Sequence, residues 1–493
     1  MKQSVSSGAL YLMGAEGAFI ISNYMLHIGI ARYLGVEAYG VFGVLMSLYL
    51  VNRSFLNTGF PRAVSKFIAE GQSTALIRTS LIFQMVMAVL FALGYILFAP
   101  LIATWLQDDS LINYIRFLGI MIIPLALMGL YLSGYLNGLH KFREQALIKF
   151  LFPILRLALA GLLIWLGMEM FGVLLGMLIA SIICLLLCFP LVRLPLIQEH
   201  NSKAKTESKV ESETRILSKL VVFSVPVTIG ALALTLLRNI NVLFVKSLLA
   251  DNLQTGLFTA ALTLSNIPYA IFTAFPLALL PAISSAYSSG NVEQIKRYIT
   301  ESLRYLLLLL LPLTALVAAT APQLLHIFYS STYTSVASVL IMLTISATFL
   351  TLFVLLSSIL IGIGKPSLAM GITLFSVLLM SLLNYYLIPS FGLKGAAFSS
   401  LIAAFLALCL AGGYIYHQFK VLMPWRSILN IAVASLVIFL LAQGGGFPGW
   451  LVLVAYLICG LVYLAVLGII GEIRQTDVKK FKKVFMFASE KED

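Results

Sequence analysis

The chain has 493 residues, 61% of them hydrophobic and only 10% charged, with a mean hydropathy of +1.02 and a formal net charge of +13. A soluble protein carries roughly a quarter charged residues, so a water-soluble fold is excluded and most of the surface must face lipid. The positive balance would suit nucleic acid only if it clustered on a polar surface, and its distribution along the chain removes that partner.

The opening MKQSVSSGALYLMGAEGAFIIS runs straight into a full-length apolar segment with no short apolar region and cleavage site, so no cleaved signal peptide is expected. Windows of about 19 residues predict an all-α polytopic membrane protein. The fourteen predicted transmembrane helices are 9–30, 39–60, 80–104, 113–138, 147–167, 171–192, 220–244, 257–283, 303–324, 336–362, 367–388, 395–416, 427–443 and 449–471.

The first span carries Glu16, Asn23 and His27 on one helical stripe. In the second, Tyr49, Arg53 and Asn57 recur every four residues with Asn52 adjacent, a polar stripe in an apolar helix. Arg116, near the end of the fourth span and close to Trp105 and Asp108, is placed to snorkel to headgroups. Arg156 sits near the middle of the fifth span with no polar company on its own helix. The mixed-charge stretch 195–219 reads as a cytoplasmic linker. Beyond it, Arg238 lies in TLLRNINVLF with Asn239, Asn241 and Thr235. The four cysteines, Cys184, Cys188, Cys409 and Cys459, lie in apolar runs with no metal-ligand spacing, and neither a metal site nor a disulfide is expected. No phosphate-cradling glycine loop or nucleophile–base pair is present, and no catalytic residue is expected.

The two sides of the linker resemble each other. Gly40 in AYGVFGVLMSL matches Gly256 in QTGLFTAALTL, Phe60-Pro61 matches Phe275-Pro276, Gly138 matches Gly362, and Phe171-Gly172 matches Phe391-Gly392. The order is kept at a nearly constant offset, and Asn23 and Asn239 are equivalents on the same register. A six-span repeat returns the chain to its starting side, so the lobes are parallel repeats about an axis along the membrane normal. The expected domains are an N-terminal lobe 1–194, the linker 195–219, a C-terminal lobe 220–420, a helix pair 421–471 and a basic tail 472–493.

With the N-terminus inside, 25 of the 32 Lys and Arg residues fall on the inner side, and only Arg32, Lys246 and Lys394 on the outer. The positive-inside rule therefore predicts both termini inside. Lys479, Lys480, Lys482 and Lys483 in the tail are positioned for anionic lipid headgroups.

Four arginines, Arg53, Arg116, Arg156 and Arg238, lie within spans against one carboxylate, Glu16. A buried charge demands a partner or a hydrated cavity, and the cationic excess points to a cavity awaiting an anion. Guanidinium suits phosphate through paired hydrogen bonds. The predicted substrate site comprises Arg53, Arg238, Arg156, Asn52, Asn57, Tyr49, Asn23 and Asn239. Glu16 is open to two readings, a salt bridge or a site that binds and releases a coupling cation.

GFPRAVSKFIAEG at the end of the second span, ARYLGVEAYGVFG at the first turn and LNGLHKFREQALIKF after the fourth span resemble the polysaccharide-transporter group of the MOP flippase superfamily. That group includes stage V sporulation protein B, lipid II flippase and O-antigen-unit flippase types. The resemblance extends to about residue 420. It implies a V-shaped, MATE-like fold in the cytoplasmic membrane and transport of sugars linked to undecaprenyl- or dolichol-type diphosphates. A single chain is expected to suffice, without a cofactor, driven by membrane potential, Na+ or H+. In relatives, arginines of the first, second and seventh-to-eighth spans line the cavity. Arg53 matches the second-span position, Arg238 matches approximately, and the first span here has no arginine. The last two spans would supply a groove for the lipid tail. A MATE-type cation–drug antiporter would need more intramembrane carboxylates, and a membrane-embedded saccharide polymerase or ligase a sizeable outer loop. A scaffold would not need the buried charge.

Overall fold

The computed structural model describes residues 5–70, 74–203, 213–272, 274–444 and 451–472. The middle of the predicted linker, residues 445–450 and the basic tail beyond Glu472 lie outside the described residues. The described elements are all helical. In order they are α1 (Val5–Tyr33), α2 (Gly35–Asn57), α3 (Gly59–Ala69), α4 (Thr74–Trp105), α5 (Leu111–Gly129), α6 (Phe142–Trp165), α7 (Glu169–Lys203), α8 (Glu213–Leu249) and α9 (Asn252–Ser265). They continue as α10 (Ile267–Phe272), α11 (Ala274–Ser288), α12 (Val292–Ala319), α13 (Ala321–Phe328), α14 (Ala337–Gly362), α15 (Pro366–Phe391), α16 (Leu393–Phe419), α17 (Trp425–Gly444) and α18 (Leu451–Ile470).

Among the described residues, twelve helices are long and apolar enough to cross a membrane. The first and last expected spans correspond to α1 and α18, which are not among the twelve. The outward faces carry the same message. On α4, Ile82, Val86, Leu90, Leu93, Leu97 and Leu101 are all exposed, an apolar stripe at helical spacing that water would not tolerate. In lipid such a stripe is the solvent-facing surface, and the helix keeps its backbone hydrogen bonds internal. The protein is a multi-pass membrane protein.

Four expected spans are interrupted, the ninth at Thr320 between α12 and α13. The second ends at Asn57, and α3 restarts at Gly59. The fourth runs into a π-helical turn, Leu130–Leu136. The eighth is divided between α9 and α10 at Asn266, with Pro268 two residues on, where a missing amide proton cannot continue the ladder. Conversely, α7 and α8 run into the expected linker, to Lys203 and from Glu213, because Glu, Gln and Lys are good helix formers.

The chain forms two compact units. The first comprises residues 1–263 and 373–399, the second 264–372 and 400–493. Within the first, α1 packs along α6, α4 along α5, α6 along α7, and α2 and α3 along α8. The repeat-equivalent glycines Gly40 and Gly256 meet at a close crossing of α2 and α9. A methyl on Gly40 would strike the carbonyl of Asn252, and one on Gly256 the carbonyl of Val36. Without a hydrophobic drive between helices in lipid, this close approach is how packing energy is gained. Within the second unit, α12 packs on α14 and α17, α11 on α14, and α17 on α18.

Candidate functional site

A cavity of about 140 Å³ opens in the first unit. Helix α1 supplies Ala15, Glu16 and Phe19, and α2 supplies Tyr49, Arg53 and Asn57. The end of α5 and its π turn supply Leu125, Met128, Gly129, Leu132 and Ser133, and α6 supplies Lys149 and Phe152. The four-residue spacing of Tyr49, Arg53 and Asn57 puts all three on the same wall, as one helix face requires.

Local irregularity in α5 shapes the opposite wall. Pro124 and the π turn interrupt the regular ladder, and π turns recur at functional sites. The carbonyls exposed there are taken by side chains. Asn57 Nδ2 donates to the Leu125 carbonyl at 3.1 Å. Gln84 Nε2, on α4, donates to the carbonyls of Leu56 at 3.0 Å and Ala126 at 3.3 Å. Gly129 is small of necessity, since a Cβ there would overlap the Asn57 amide. Asn57 Oδ1 is buried and accepts nothing from the protein.

The charges at the cavity are two cations and one carboxylate. Arg53 is exposed to it, with its guanidinium 5.5 Å from the centre of the Phe19 ring. Lys149 is half-buried and lies within the electrostatic reach of both Glu16 and Arg53. Pro153, one turn on from Lys149, lacks the amide that would bond the Lys149 carbonyl. Its own carbonyl accepts from Ser22 Oγ at 2.7 Å, which fixes α1 against α6.

Of the residues expected at the site, Arg53, Tyr49, Asn57 and Glu16 are brought together. Arg156 is not among the lining residues. It is 3% exposed, its guanidinium is 5.7 Å from the Phe19 centroid, and Nη2 donates to Asn23 Oδ1 at 3.2 Å. The α1 stripe therefore divides its work: Glu16 faces the cavity, Asn23 holds Arg156, and His27 Nδ1 lies 2.9 Å from the Tyr39 hydroxyl. Asn52 is a correction to the expected stripe. One residue off the Tyr49–Arg53–Asn57 face, it is 3% exposed and is not among the lining residues, lying instead near Tyr95. Arg238 and Asn239 do not line the cavity either. Both are half-buried on α8, where Asn239 Nδ2 bonds its own helix at the Thr235 carbonyl and Arg238 lies near Tyr24.

Two polar lining side chains lie outside the sequence expectation, Lys149 and Ser133. The sequence signal for Lys149 was present: Lys149, Phe152 and Arg156 share a helix face at three- and four-residue spacing. Lys149 follows the basic loop residues Lys141 and Arg143 closely, so charge distribution alone does not separate it from them. Ser133 has no such signal in an apolar run.

A second polar cluster lies at the α4–α5 loop. Lys246 Nζ bonds Asp108 Oδ2 at 2.7 Å, Asn252 Nδ2 donates to the same oxygen at 3.0 Å, and Ser110 donates to Oδ1. Gln107 Nε2 donates to the Ser247 carbonyl at 2.8 Å. Burial alone would raise the Asp108 pKa. Hydrogen bonds from Lys246, Ser110 and Asn252, with the Lys246 charge, outweigh it and hold the carboxyl below its ordinary range.

Comparison with known proteins adds an independent line. Residues 30–338 match the family described as polysaccharide biosynthesis protein. The chain is 22% identical to stage V sporulation protein B of Bacillus subtilis (strain 168) over 426 residues, covering 80% of each. It is 24% identical to the lipid II flippase MurJ of the same organism over 433 residues, covering 78% of each. In fold it is similar to a lipid II flippase MurJ structure in an inward closed conformation, with a TM-score of 0.74, 16% identity, and 94% of this chain and 98% of that one covered.

Proposed function

The chain belongs to the polysaccharide biosynthesis protein family, and on that premise we propose that it is an alternating-access flippase for a lipid-diphosphate-linked oligosaccharide. The carrier is of the undecaprenyl or dolichol type, moved from the inner to the outer leaflet of the cytoplasmic membrane. The observation that carries the proposal is the cavity in which Arg53 and Lys149 stand against a single carboxylate. Its volume of about 140 Å³ accommodates a phosphoryl group with a few waters, at roughly 30 Å³ per water, while sugars and lipid extend outside it. Arg53 binds phosphate oxygens through its planar fork and Lys149 as a point charge. Tyr49, Asn57 and Ser133 offer hydroxyl and amide groups to whatever adjoins the phosphate.

In this reading the topology has fourteen spans with both termini inside, and the six-helix repeats form the two moving lobes. Glu16 carries the coupling proton or cation. Arg238 and Asn239 meet the substrate outside this cavity. A cation–drug antiporter is disfavoured by the same charge balance, since an organic cation would meet two like charges here.

The test is flipping of a diphosphate-linked lipid oligosaccharide in proteoliposomes. A charge-assisted hydrogen bond contributes about 1.5–3 kcal/mol. Arg53→Ala should therefore weaken apparent substrate affinity by roughly ten- to a hundredfold, and Arg53→Lys by less. Unchanged flipping by a folded Arg53→Ala protein overturns the proposal.

A further inference from the structure

Two neighbouring helices of the first unit lose regular geometry side by side. Helix α2 ends at Asn57 and α3 begins at Gly59. Pro61 maintains that junction, because it lacks the amide that the Asn57 carbonyl would need four residues on. On α5 the ladder changes at Leu130, where the π turn begins, and stays irregular to Leu136. The two interruptions adjoin, since Gly129, the residue before the turn, faces the Asn57 amide. On one side of them the end of α2 is tied to α5. Leu56, Ala88, Ile122 and Ala126 form one buried cluster. Asn57 Nδ2 reaches the Leu125 carbonyl, and Gln84 Nε2 bridges the carbonyls of Leu56 and Ala126. On the other side α3 is tied to the turn and its end. Asn137 Nδ2 donates to Ser65 Oγ at 2.9 Å. A Cβ on Gly138 would lie 2.8 Å from the Ser65 carbonyl oxygen, and one on Gly134 3.4 Å from Val64.

We propose that α3 and the π turn form one block that swings on α2 and α5 as a composite hinge, with Asn57 as its catch. Residues at element ends absorb the backbone rotation of a hinge, and π turns recur at functional sites. The ties make the two interruptions bend together. Bending at Thr58 alone would pull Ser65 off Asn137, and bending in the turn alone would do the same from the other chain. The hinge reshapes the cavity directly. Leu132 and Ser133 lie in the turn and line it, whereas Tyr49 and Arg53 line it from α2, so a swing of the block moves one wall against the other. Asn57 belongs to both parts, holding the Leu125 carbonyl while lining the cavity. An occupant that draws its amide away from Leu125 releases the catch, and filling the cavity is thereby coupled to bending. Any occupant that hydrogen-bonds Asn57 works this device, which therefore stands apart from the phosphate reading.

The experiment is amide hydrogen exchange on the full purified chain in detergent micelles, read by mass spectrometry for the wild type and Asn57→Ala, which removes the catch without a ligand. Loss of one neutral hydrogen bond changes a local opening equilibrium by roughly two- to tenfold. Amides at 58–60 and 130–136 should exchange faster by that factor, and equally in both segments. The bodies of α2 at 40–54, α3 at 63–69 and α5 at 112–123 should keep the wild-type rate. A rise in one segment without the other shows two independent breaks and overturns the inference. So does an unchanged rate in both, or a rise spread through the three helix bodies, which marks general loosening. Should Asn57→Ala fail to fold, Gln84→Leu cuts the tie from α4 with a side chain of similar size and must give the same paired rise. Faster exchange confined to one segment in Gln84→Leu refutes the hinge.

Discussion

Replacing Asp108 by Asn keeps the shape of the α4–α5 loop and removes the counter-charge of Lys246. The Lys246 side chain is 2% accessible, so its ammonium has no route to water. Leaving one member of a buried pair uncompensated costs about 3–5 kcal/mol. The converse change is milder. Asp108 is 13% accessible and after Lys246→Met would still accept from Ser110 and Asn252, so a loss of about 1–3 kcal/mol is expected. Denaturant titration of the purified protein in micelles should resolve the two variants, with Asp108→Asn the more damaging. The pH dependence supplies a second readout. The Asp108 carboxyl is held below its ordinary range in the folded protein. Its contribution is therefore present above the unfolded pKa and lost as pH falls through the lower folded value. The wild type should lose stability in that acid window, and Asp108→Asn should lack this component. A Lys246→Met protein less stable than Asp108→Asn, or an acid slope unaltered by Asp108→Asn, would refute the reasoning.

In the second unit, Arg304 Nε bonds Glu472 Oε1 at 2.8 Å, with side chains 5% and 6% accessible, and Asn430 donates to the other carboxylate oxygen. Glu472→Gln should lower stability by about 3–5 kcal/mol, measured by the same titration, and a neutral effect would show that the pair is dispensable. Gly256→Leu should prevent α2 and α9 from closing at their crossing and reduce folded yield on size-exclusion chromatography, whereas Gly230→Leu, with open space at its Cβ position, should be tolerated. Glu16→Gln should abolish the dependence of flipping on a proton or sodium gradient in proteoliposomes; lost stability with the gradient dependence intact would instead assign Glu16 to a salt bridge. Membrane-impermeant thiol labelling of single cysteines should find position 141 inside and the exposed position 109 outside, and the reverse pattern would invert the charge argument.

Hydropathy alone was enough to read the class of fold, because exclusion of charge from lipid is an energetic constraint on every residue of a span. It could not show where a helix breaks, because Pro124 and the Leu130–Leu136 π turn leave composition unchanged while altering which carbonyls are free. The stripe of Tyr49, Arg53 and Asn57 was legible because three polar residues on one helix face survive any uncertainty in packing. Asn52 was misplaced for the complementary reason: adjacency in sequence turns a side chain through about 100° on a helix of 3.6 residues per turn. Partners on different helices were beyond reach. Nothing in the sequence announces that Arg53 and Arg156 both lie within 6 Å of the Phe19 ring centre, or that Lys246 reaches Asp108.

The internal repeat had a consequence that periodicity could not show. Gly40 and Gly256 were matched as equivalents, which by itself says only that each repeat needs a small residue at that point. In the fold they serve one crossing, each making room for the other helix's backbone. A substitution at either glycine therefore acts on both helices of the crossing at once. Beside this crossing, Tyr39 of α2 lies 3.2 Å from Thr263 Oγ1 of α9, and Tyr39 also meets His27 of α1. The polar residues of α1 are thereby linked at one end to the glycine crossing and at the other, through Asn23 and Glu16, to Arg156 and the cavity. A change in how α1 sits would alter both ends together. That mechanical continuity gives a physical reason for one helix to carry Glu16, Asn23 and His27.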